Sequence, residues 1–405
     1  MEFSISNKAK TVTMALMVVG LLFTVIGVIM GMGDHHFGTR LLTNGLINSF
    51  FFFAIALGAL FFMALQYATE TAWYVSVKRI IEAIAGFLPY GIALMLVVLL
   101  TLTFMDGAHI YIWMDPEMTD PASHHYDSII DGKSAYLNKG FFWIRTVVYM
   151  AVYYIFWRGF RMRSLEEDRV GGTDIHFKNY KKGALFLVFF SVFSSTSSWD
   201  WIMSIDVHWL STLFGWYVFS GMWVSAMVVM VLLTLYLKKL GYMPKVNDSH
   251  IHDLGKWAFA ISFLWSYLWF SQFMLIWYAN IPEEVRYFFD RFAYYKYTFL
   301  PMLIINFLIP LLVLVSSSIK RNYKVVTTMA VLVILGHWLD FFNMVMPGTV
   351  GPFWNNAYTF LLVVGAFLFM VGLFVLVVMS ALSKLKLIPE GNPLVKESKI
   401  FEYPF

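Results

Sequence analysis

Apolar runs of about 20 residues recur along this chain, and each is long enough to cross the ~30 Å hydrocarbon core of a bilayer as a helix. Only 13% of the residues are charged, against about 25% in an ordinary soluble domain. Because lipid leaves backbone groups no partner outside the segment, such runs must be helical. The sequence therefore predicts an all-α polytopic membrane protein whose single integral membrane domain spans residues 1–405. The ten predicted spans are 11–32, 44–66, 83–105, 140–160, 183–204, 211–236, 257–279, 299–318, 325–346 and 357–381.

Pro310 falls inside the eighth span, where it removes a backbone hydrogen bond to Asn306 and predicts a kink.

Basic residues are distributed unequally between the two sides of these spans. The side that carries both termini holds 22 Lys and Arg residues and the other side holds 6, while Arg145 lies inside a span. Because Lys and Arg concentrate in cytoplasmic loops, we expect both termini of this multi-pass protein to be cytoplasmic.

The longest loop, residues 106–139, is predicted to be periplasmic and acidic. It carries three histidines, including His124 and His125, and the carboxylates Asp106, Asp115, Glu117, Asp120, Asp127 and Asp131. The loop is interpreted either as a solvated acidic surface or as a docking surface for extramembrane partner subunits, and the two interpretations are compatible.

Four ionisable residues are good candidates for a functional role because they lie well inside predicted spans, where each costs about 2.5–3.5 kcal/mol on insertion scales. They are Arg145, Asp200, His337 and Asp340. The candidate proton path comprises Asp200, Asp206, His208, His337 and Asp340, with Thr196, Ser197, Ser266, Gln272 and Asn343 as supporting polar residues. In such a path the carboxylates accept protons and the imidazoles shuttle them. The alternative is that these groups only hold helices together through hydrogen bonds.

The residue inventory argues against cofactors on this chain. It has no cysteine, which excludes cysteine-ligated iron–sulfur clusters and c-type haem. A bis-histidine haem b needs two facing histidines within spans, and only His337 is central. No nucleotide-binding motif occurs, and the basic residues form no nucleic-acid stripe. We expect no metal site and no catalytic residue, and the sequence does not identify a quinone-binding residue.

Three segments carry a resemblance to a known family. They are SSTSSWDWIMSIDVHWLSTLFGWY at 194–217, WSYLWFSQFMLIWYANIPEE at 265–284 and GHWLDFFNMVMP at 336–347. With them the whole chain resembles the ActF-type membrane subunit of bacterial alternative complex III, a quinol:cytochrome c oxidoreductase. That subunit is similar to the polysulfide-reductase membrane anchors, the NrfD-like family.

The resemblance implies two four-helix bundles plus two peripheral helices. It implies partners that carry the redox chemistry: a paralogous quinone-binding membrane subunit, a periplasmic iron–sulfur subunit and c-type cytochrome subunits, with cytochrome c or a terminal oxidase downstream. Quinol would be the substrate of the complex, haem c and iron–sulfur clusters would lie in partner subunits, and lipid would surround the chain. This subunit would support quinol oxidation structurally and conduct protons, and would not be catalytic alone.

Two other classes of function remain open. A secondary transporter would place charged sites and broken helices near the midplane, whereas the charges here lie towards the outer half and no paired interruptions occur at corresponding positions. An inert membrane scaffold is the third class. Co-purification with haem and iron–sulfur proteins would separate a redox-complex subunit from a transporter.

Overall fold

The computed structural model describes residues 3–105 and 110–403, and within them ten helical crossings are long and apolar enough to span a membrane. About 80% of the chain is helical and the described residues contain no strand, which confirms the predicted all-α polytopic fold. The α-helices are α1 (Asn7–Gly31), α2 (Phe37–Ala68), α3 (Lys78–Ala85), α4 (Leu88–Phe104), α5 (Ser128–Lys133), α6 (Lys139–Val170), α7 (Asp174–Trp201), α8 (Phe214–Lys239), α9 (Asp248–Ala279), α10 (Pro282–Tyr294), α11 (Lys296–Leu303), α12 (Ile309–Val313), α13 (Tyr323–Val350), α14 (Ala357–Ser383) and α15 (Val395–Lys399). Asp106 and His109 of the predicted acidic loop lie outside the described residues.

Each predicted span overlaps one crossing, although several helices extend beyond the apolar run. For example, α7 begins at Asp174 instead of residue 183, and α6 continues to Val170 instead of residue 160. Hydropathy marks where side chains meet lipid, whereas backbone hydrogen bonding continues into the membrane interface. Two crossings are interrupted: the third divides into α3 and α4, and the eighth consists of α11, a π-helical segment at Ile304–Leu308, and α12.

Asparagine side chains begin four of the long helices. Asn138 accepts a hydrogen bond from the backbone N–H of Phe141 at 2.9 Å at the start of α6, and Asn247 forms a capping box with His250 at the start of α9. Asn322 and Asn356 cap α13 and α14 in the same way. Each cap satisfies a backbone donor that has no partner within its helix.

The crossings form two four-helix bundles and one peripheral pair. The first bundle contains α2, the α3–α4 crossing, α6 and α7, and the second contains α8, α9, the α11–α12 crossing and α13. Helix α2 belongs to the first bundle and also packs against helices of the second. Its most apolar stretch is entirely buried inside the protein. Helices α1 and α14 pair with each other and lie against α2.

Because the chain crosses ten times, both termini lie on one face, which we call the terminal face. The other is the opposite face, formed by the connections at residues 32–36, 110–138, 202–213, 280–295 and 351–356. The predicted proton-path residues near helix ends, Asp206 and His208, lie on the opposite face.

Glycines set the distance between α1 and α14. A Cβ atom added to Gly365 would lie 2.6 Å from the backbone N of Thr24, and one added to Gly372 would lie 2.8 Å from the carbonyl oxygen of Thr13. Close backbone contact replaces the hydrophobic effect as the source of attraction between helices in lipid. The peripheral pair therefore depends on these small residues.

We expect Gly365→Ala to destabilise the protein by about 1–3 kcal/mol, because the added methyl group overpacks the helix contact. The matched control is Gly45→Ala, whose Cβ would meet only Val98 at 3.4 Å, an ordinary contact. Thermal unfolding in detergent should show a lower Tm for Gly365→Ala alone. Equal Tm values for the two variants would contradict this explanation of the pairing.

Candidate functional site

Asp200 lies in the first bundle and is fully paired with a cation. Its oxygens accept hydrogen bonds from Nε and Nη2 of Arg145, both at 2.8 Å, and Oδ2 also accepts one from the hydroxyl of Tyr149 at 3.1 Å. The Arg145 guanidinium lies over the ring of Tyr136 at 3.9 Å. A two-pronged arginine–carboxylate pair is stronger than a neutral hydrogen bond and fixes the relative orientation of the two side chains. This arrangement favours a structural role, in which Asp200 joins α7 to α6.

The supporting hydroxyls bond within their own helices. Thr196 donates to the carbonyl of Val192 at 3.1 Å, and Ser266 donates to the carbonyl of Ser262 at 2.8 Å. Ser197 makes the equivalent bond to Ser194 at 3.4 Å. Such bonds are typical of Ser and Thr in membrane helices and do not themselves connect one helix to another.

A different set of residues surrounds Asp340 in the second bundle. Tyr217 of α8 donates its hydroxyl hydrogen to Oδ1, and Trp265 of α9 donates its indole N–H to Oδ2 at 2.8 Å. The Nδ1 atom of His337 lies 3.8 Å from Oδ2, and its ring packs edge-on against Trp265. All four side chains are buried, and His337 and Asp340 are 0% exposed. We call these four residues the Asp340 centre.

The Asp340 centre can exchange a proton, whereas the Arg145–Asp200 pair is locked. The two groups that donate to Asp340, the hydroxyl of Tyr217 and the indole of Trp265, are neutral. They therefore orient the carboxylate without cancelling its charge. Neither nitrogen of His337 has a hydrogen-bond partner among the described residues. The Nδ1 atom of His337 lies 3.8 Å from the carboxylate of Asp340. The chemistry available here is therefore the uptake and release of a proton by a histidine–aspartate pair.

The irregular eighth crossing packs beside this centre. The π-helical segment contains Asn306, which is 0% exposed and whose amide has no hydrogen-bond partner among the described residues. Gly336, the neighbour of His337, provides the space that the Asn306 side chain occupies. The irregularity predicted from Pro310 thus takes the form of a π-helical turn that brings an amide against α13.

Arg291 of α10 connects α13 to the opposite face. It is 2% exposed and donates to the carbonyl oxygens of Asn343 at 2.9 Å and Met344 at 3.2 Å, which lie one turn beyond Asp340 on α13. The same guanidinium lies 3.4 Å from a carboxylate oxygen of Asp206. The order along this side of the second bundle is therefore His337, Asp340, Arg291 and Asp206.

Asp206 borders a cavity of about 200 Å³ on the opposite face, whose charged lining also includes Glu283, Asp290 and Arg291. Burial raises the pKa of Asp206 more than the neighbouring Arg291 lowers it, so that the net pKa is above the usual range of an aspartate. A carboxyl group of this kind accepts a proton more readily than an exposed aspartate does.

The structure divides the residues that were predicted to form one path. His337 and Asp340 lie together, and Asp206 follows through Arg291. Asp200 turns towards Arg145 instead, and His208 bonds to Asp127 of the long loop at 2.7 Å. Asn343 uses its side chain to accept a hydrogen bond from Thr298 at 2.8 Å, and Gln272 is buried on α9 with its amide nitrogen unpaired among the described residues.

A buried ion network near the terminal face was not predicted from the sequence. Lys78 donates to Glu167 at 2.6 Å, and Arg79 donates to Glu82 at 2.5 Å. Arg79 also pairs with Asp168, and Asn392 of the C-terminal segment donates to both oxygens of Glu167 at 3.2 Å. Lys78 and Arg79 were counted as loop charges, although the glutamate three residues after Arg79 was a signal of internal pairing. The network ties α3 to α6 and to the C-terminal segment.

Within residues 3–105 and 110–403, no group of three or more His, Asp or Glu side chains is arranged to hold a metal ion. Comparison with protein-family models and with curated proteins gave no match to this chain. Its function is therefore inferred from its residues and their arrangement.

Removing Arg145 alone should destabilise the protein more than removing Arg145 and Asp200 together. Arg145→Leu leaves a buried carboxylate without its cation, which costs about 3–5 kcal/mol, whereas an apolar pair of similar size is nearly neutral. The measurement is a double-mutant cycle of Tm values for Arg145→Leu, Asp200→Leu and the double variant. Strictly additive losses would refute the proposed charge pairing.

The raised pKa of Asp206 predicts a pH-dependent cost to folding. The folded state binds this proton more tightly than the unfolded state, so the contribution to stability is fully present below the unfolded pKa of about 3.9 and is lost as pH rises through the folded pKa. Relative to wild type, Asp206→Asn should gain Tm as pH increases from 4 to 7. A Tm difference that stays constant over this range would show that the pKa of Asp206 is not raised.

Proposed function

We propose that this chain is a cofactor-free integral membrane subunit of a respiratory quinol:cytochrome c oxidoreductase of the alternative complex III type. In this proposal it lies in a bacterial inner membrane with both termini in the cytoplasm. The supporting observation is that the three segments with the family resemblance supply most of the polar side chains of the candidate site. Residues 194–217 contribute Tyr217 and Asp206, residues 265–284 contribute Trp265, and residues 336–347 contribute His337 and Asp340.

In the proposed mechanism the chain assists quinol oxidation by moving protons through the second bundle. Oxidation of one quinol releases two protons, which must leave the membrane region where they are formed. Asp340 accepts a proton, because Tyr217 and Trp265 hold its two oxygens without neutralising them. His337 exchanges the proton with Asp340 across their 3.8 Å separation.

The exit proceeds along α13 to the opposite face. Asp206 receives the proton in the 200 Å³ cavity, where Glu283 and Asp290 can accept it next on its way to bulk solvent. Arg291 positions Asp206 relative to α13 and supplies a fixed positive charge between Asp340 and Asp206. Such a charge limits how many protons occupy the path at one time, because a second positive charge nearby is disfavoured.

A secondary transporter is the less well supported alternative. Transporters with internal repeats place helix breaks at corresponding positions of the two halves. Here the breaks fall in the second crossing of the first bundle and in the third crossing of the second bundle, which do not correspond.

Substitution of Asp340 separates proton conduction from an inert scaffold. Asp340→Asn retains the size of the side chain but does not ionise. Its amide oxygen can still accept the hydrogen bond from Trp265, and its NH2 group can donate to the hydroxyl oxygen of Tyr217. In assembled complex within proteoliposomes, we expect this variant to lower the rate of quinol-driven proton release at least tenfold, as in the loss of a general acid–base group.

The matched control is Asp340→Glu, which keeps the ionisable group and should retain part of the proton release. Assembly is checked by the content of partner subunits, so that a folding defect is not mistaken for a conduction defect. Normal assembly of Asp340→Asn with unchanged quinol oxidation and proton release would favour the scaffold and reject the path.

A further inference from the structure

A cavity of about 320 Å³ lies between the peripheral α1–α14 pair and helices α2 and α4. Its lining includes Thr24 of α1, Asn44, Asn48 and Ser49 of α2, Val98 of α4 and Phe369 of α14. Leu21, which also borders it, is 54% exposed on the surface that faces lipid. The cavity is therefore a slot in the membrane-facing side of the protein, and none of the four residues of the Asp340 centre lines it.

Three of the four polar side chains in this slot use their hydrogen-bonding groups within the protein. Asn48 donates to the carbonyl of Asn44 at 2.9 Å and accepts from the indole of Trp338 at 3.1 Å. Thr24 donates to the carbonyl of Gly20 at 2.9 Å, and Ser49 donates to the carbonyl of Leu46 at 3.3 Å. These groups therefore need no ligand.

Asn44 differs from the others. Its Nδ2 donates to the carbonyl of Arg40 at 2.8 Å. This bond identifies the other terminal atom of the side-chain amide as the oxygen, Oδ1. Its Oδ1 has no partner among the described residues, although the side chain is 2% exposed and borders the slot. A carbonyl oxygen in an apolar surrounding is destabilising unless a donor reaches it.

The position of Asn44 restricts what the donor can be. Asn44 lies seven residues beyond Phe37, the first residue of α2, which is about 10 Å along the helix. A ligand that enters at this depth must dissolve in lipid. Hydrocarbon chains and ester or phosphate groups offer no donor, so they would leave Oδ1 unsatisfied. A hydroxyl group on an apolar body would satisfy it.

We propose that this slot is a binding site for a lipophilic hydroxyl compound, whose O–H group donates to Oδ1 of Asn44 and whose apolar body lies against Val98 and Phe369. Both a quinol ring and a hydroxyl-bearing lipid have this chemistry. The site does not depend on the proton path, because neither Asn44 nor the slot contacts the residues of the Asp340 centre.

The test uses a long-chain alcohol with a photoreactive diazirine in its chain, and its methyl ether, which is equally apolar but has no O–H. The full-length protein in lipid nanodiscs is irradiated with each probe, and labelled peptides are identified by mass spectrometry. The alcohol should label residues 94–98 and 366–370 about fivefold more than the ether, as expected for one additional hydrogen bond.

Two variants localise the labelling. Asn44→Leu removes the acceptor at nearly constant size, and Val98→Phe fills the slot without touching that acceptor. Both should lower labelling by the alcohol to the level of the ether. Val97→Phe is the matched control, because Val97 is 62% exposed towards lipid and does not border the slot.

Competition identifies the source of the ligand. A short-chain naphthoquinol that displaces the alcohol, while its quinone does not, indicates a quinol site. Displacement by dioctanoylglycerol indicates a hydroxyl-bearing lipid, and either result supports the proposal. Equal labelling by alcohol and ether, labelling unchanged in Val98→Phe, or displacement by neither competitor would overturn it.

Discussion

The hydrocarbon of a bilayer offers no hydrogen-bond partner, so a carboxylate inside a membrane helix is stable only where other side chains of the protein surround it. The two bundles meet this constraint differently. In the first bundle, Asp200 is neutralised by Arg145, and the pair is closed to further chemistry. In the second, Asp340 is bound by two neutral donors, Tyr217 and Trp265, and the Nδ1 atom of His337 lies 3.8 Å from its carboxylate. The same constraint thus leaves Asp200 paired with a cation in one bundle and Asp340 bound only by neutral groups in the other.

The Asp340 centre lies between two sets of ion pairs and hydrogen bonds, one near each face of the protein. Helix α2 is buried by both bundles, and the ion network of Lys78, Arg79 and Glu167 fastens the first bundle near the terminal face. On the opposite face, Arg291 is held by three backbone carbonyls and faces Asp206. Polar groups that would otherwise attract water are paired at both ends, so the proposed proton route is confined to the side of α13 that leads to Asp206.

Hydropathy was sufficient to place the ten crossings, because lipid selects apolar side chains over a defined length. Helical spacing also placed His337 and Asp340 on one face correctly. Pairing between helices could not be predicted from the sequence. Arg145 and Asp200 are far apart in the chain, and the aromatic partners of Asp340 resemble many other aromatic residues that only pack. Asp206 could not be positioned either, since the helical turn at Met203–Ile205 redirects the chain after α7. Asp200 is therefore separated from the predicted ladder by its pairing with Arg145, whereas Asp206 and His208 line one cavity on the opposite face.

The protonation state of Asp340 during turnover tests the proposed role of the second bundle most directly. Infrared difference spectra of the assembled complex, recorded before and after addition of quinol, report protonated carboxyl groups through their C=O stretching band. We predict a carboxyl band that changes with turnover in wild type, persists in Asp200→Asn and is absent from Asp340→Asn. A turnover-dependent carboxyl spectrum that is identical in wild type and Asp340→Asn would show that Asp340 carries no proton, and would contradict the proposed path.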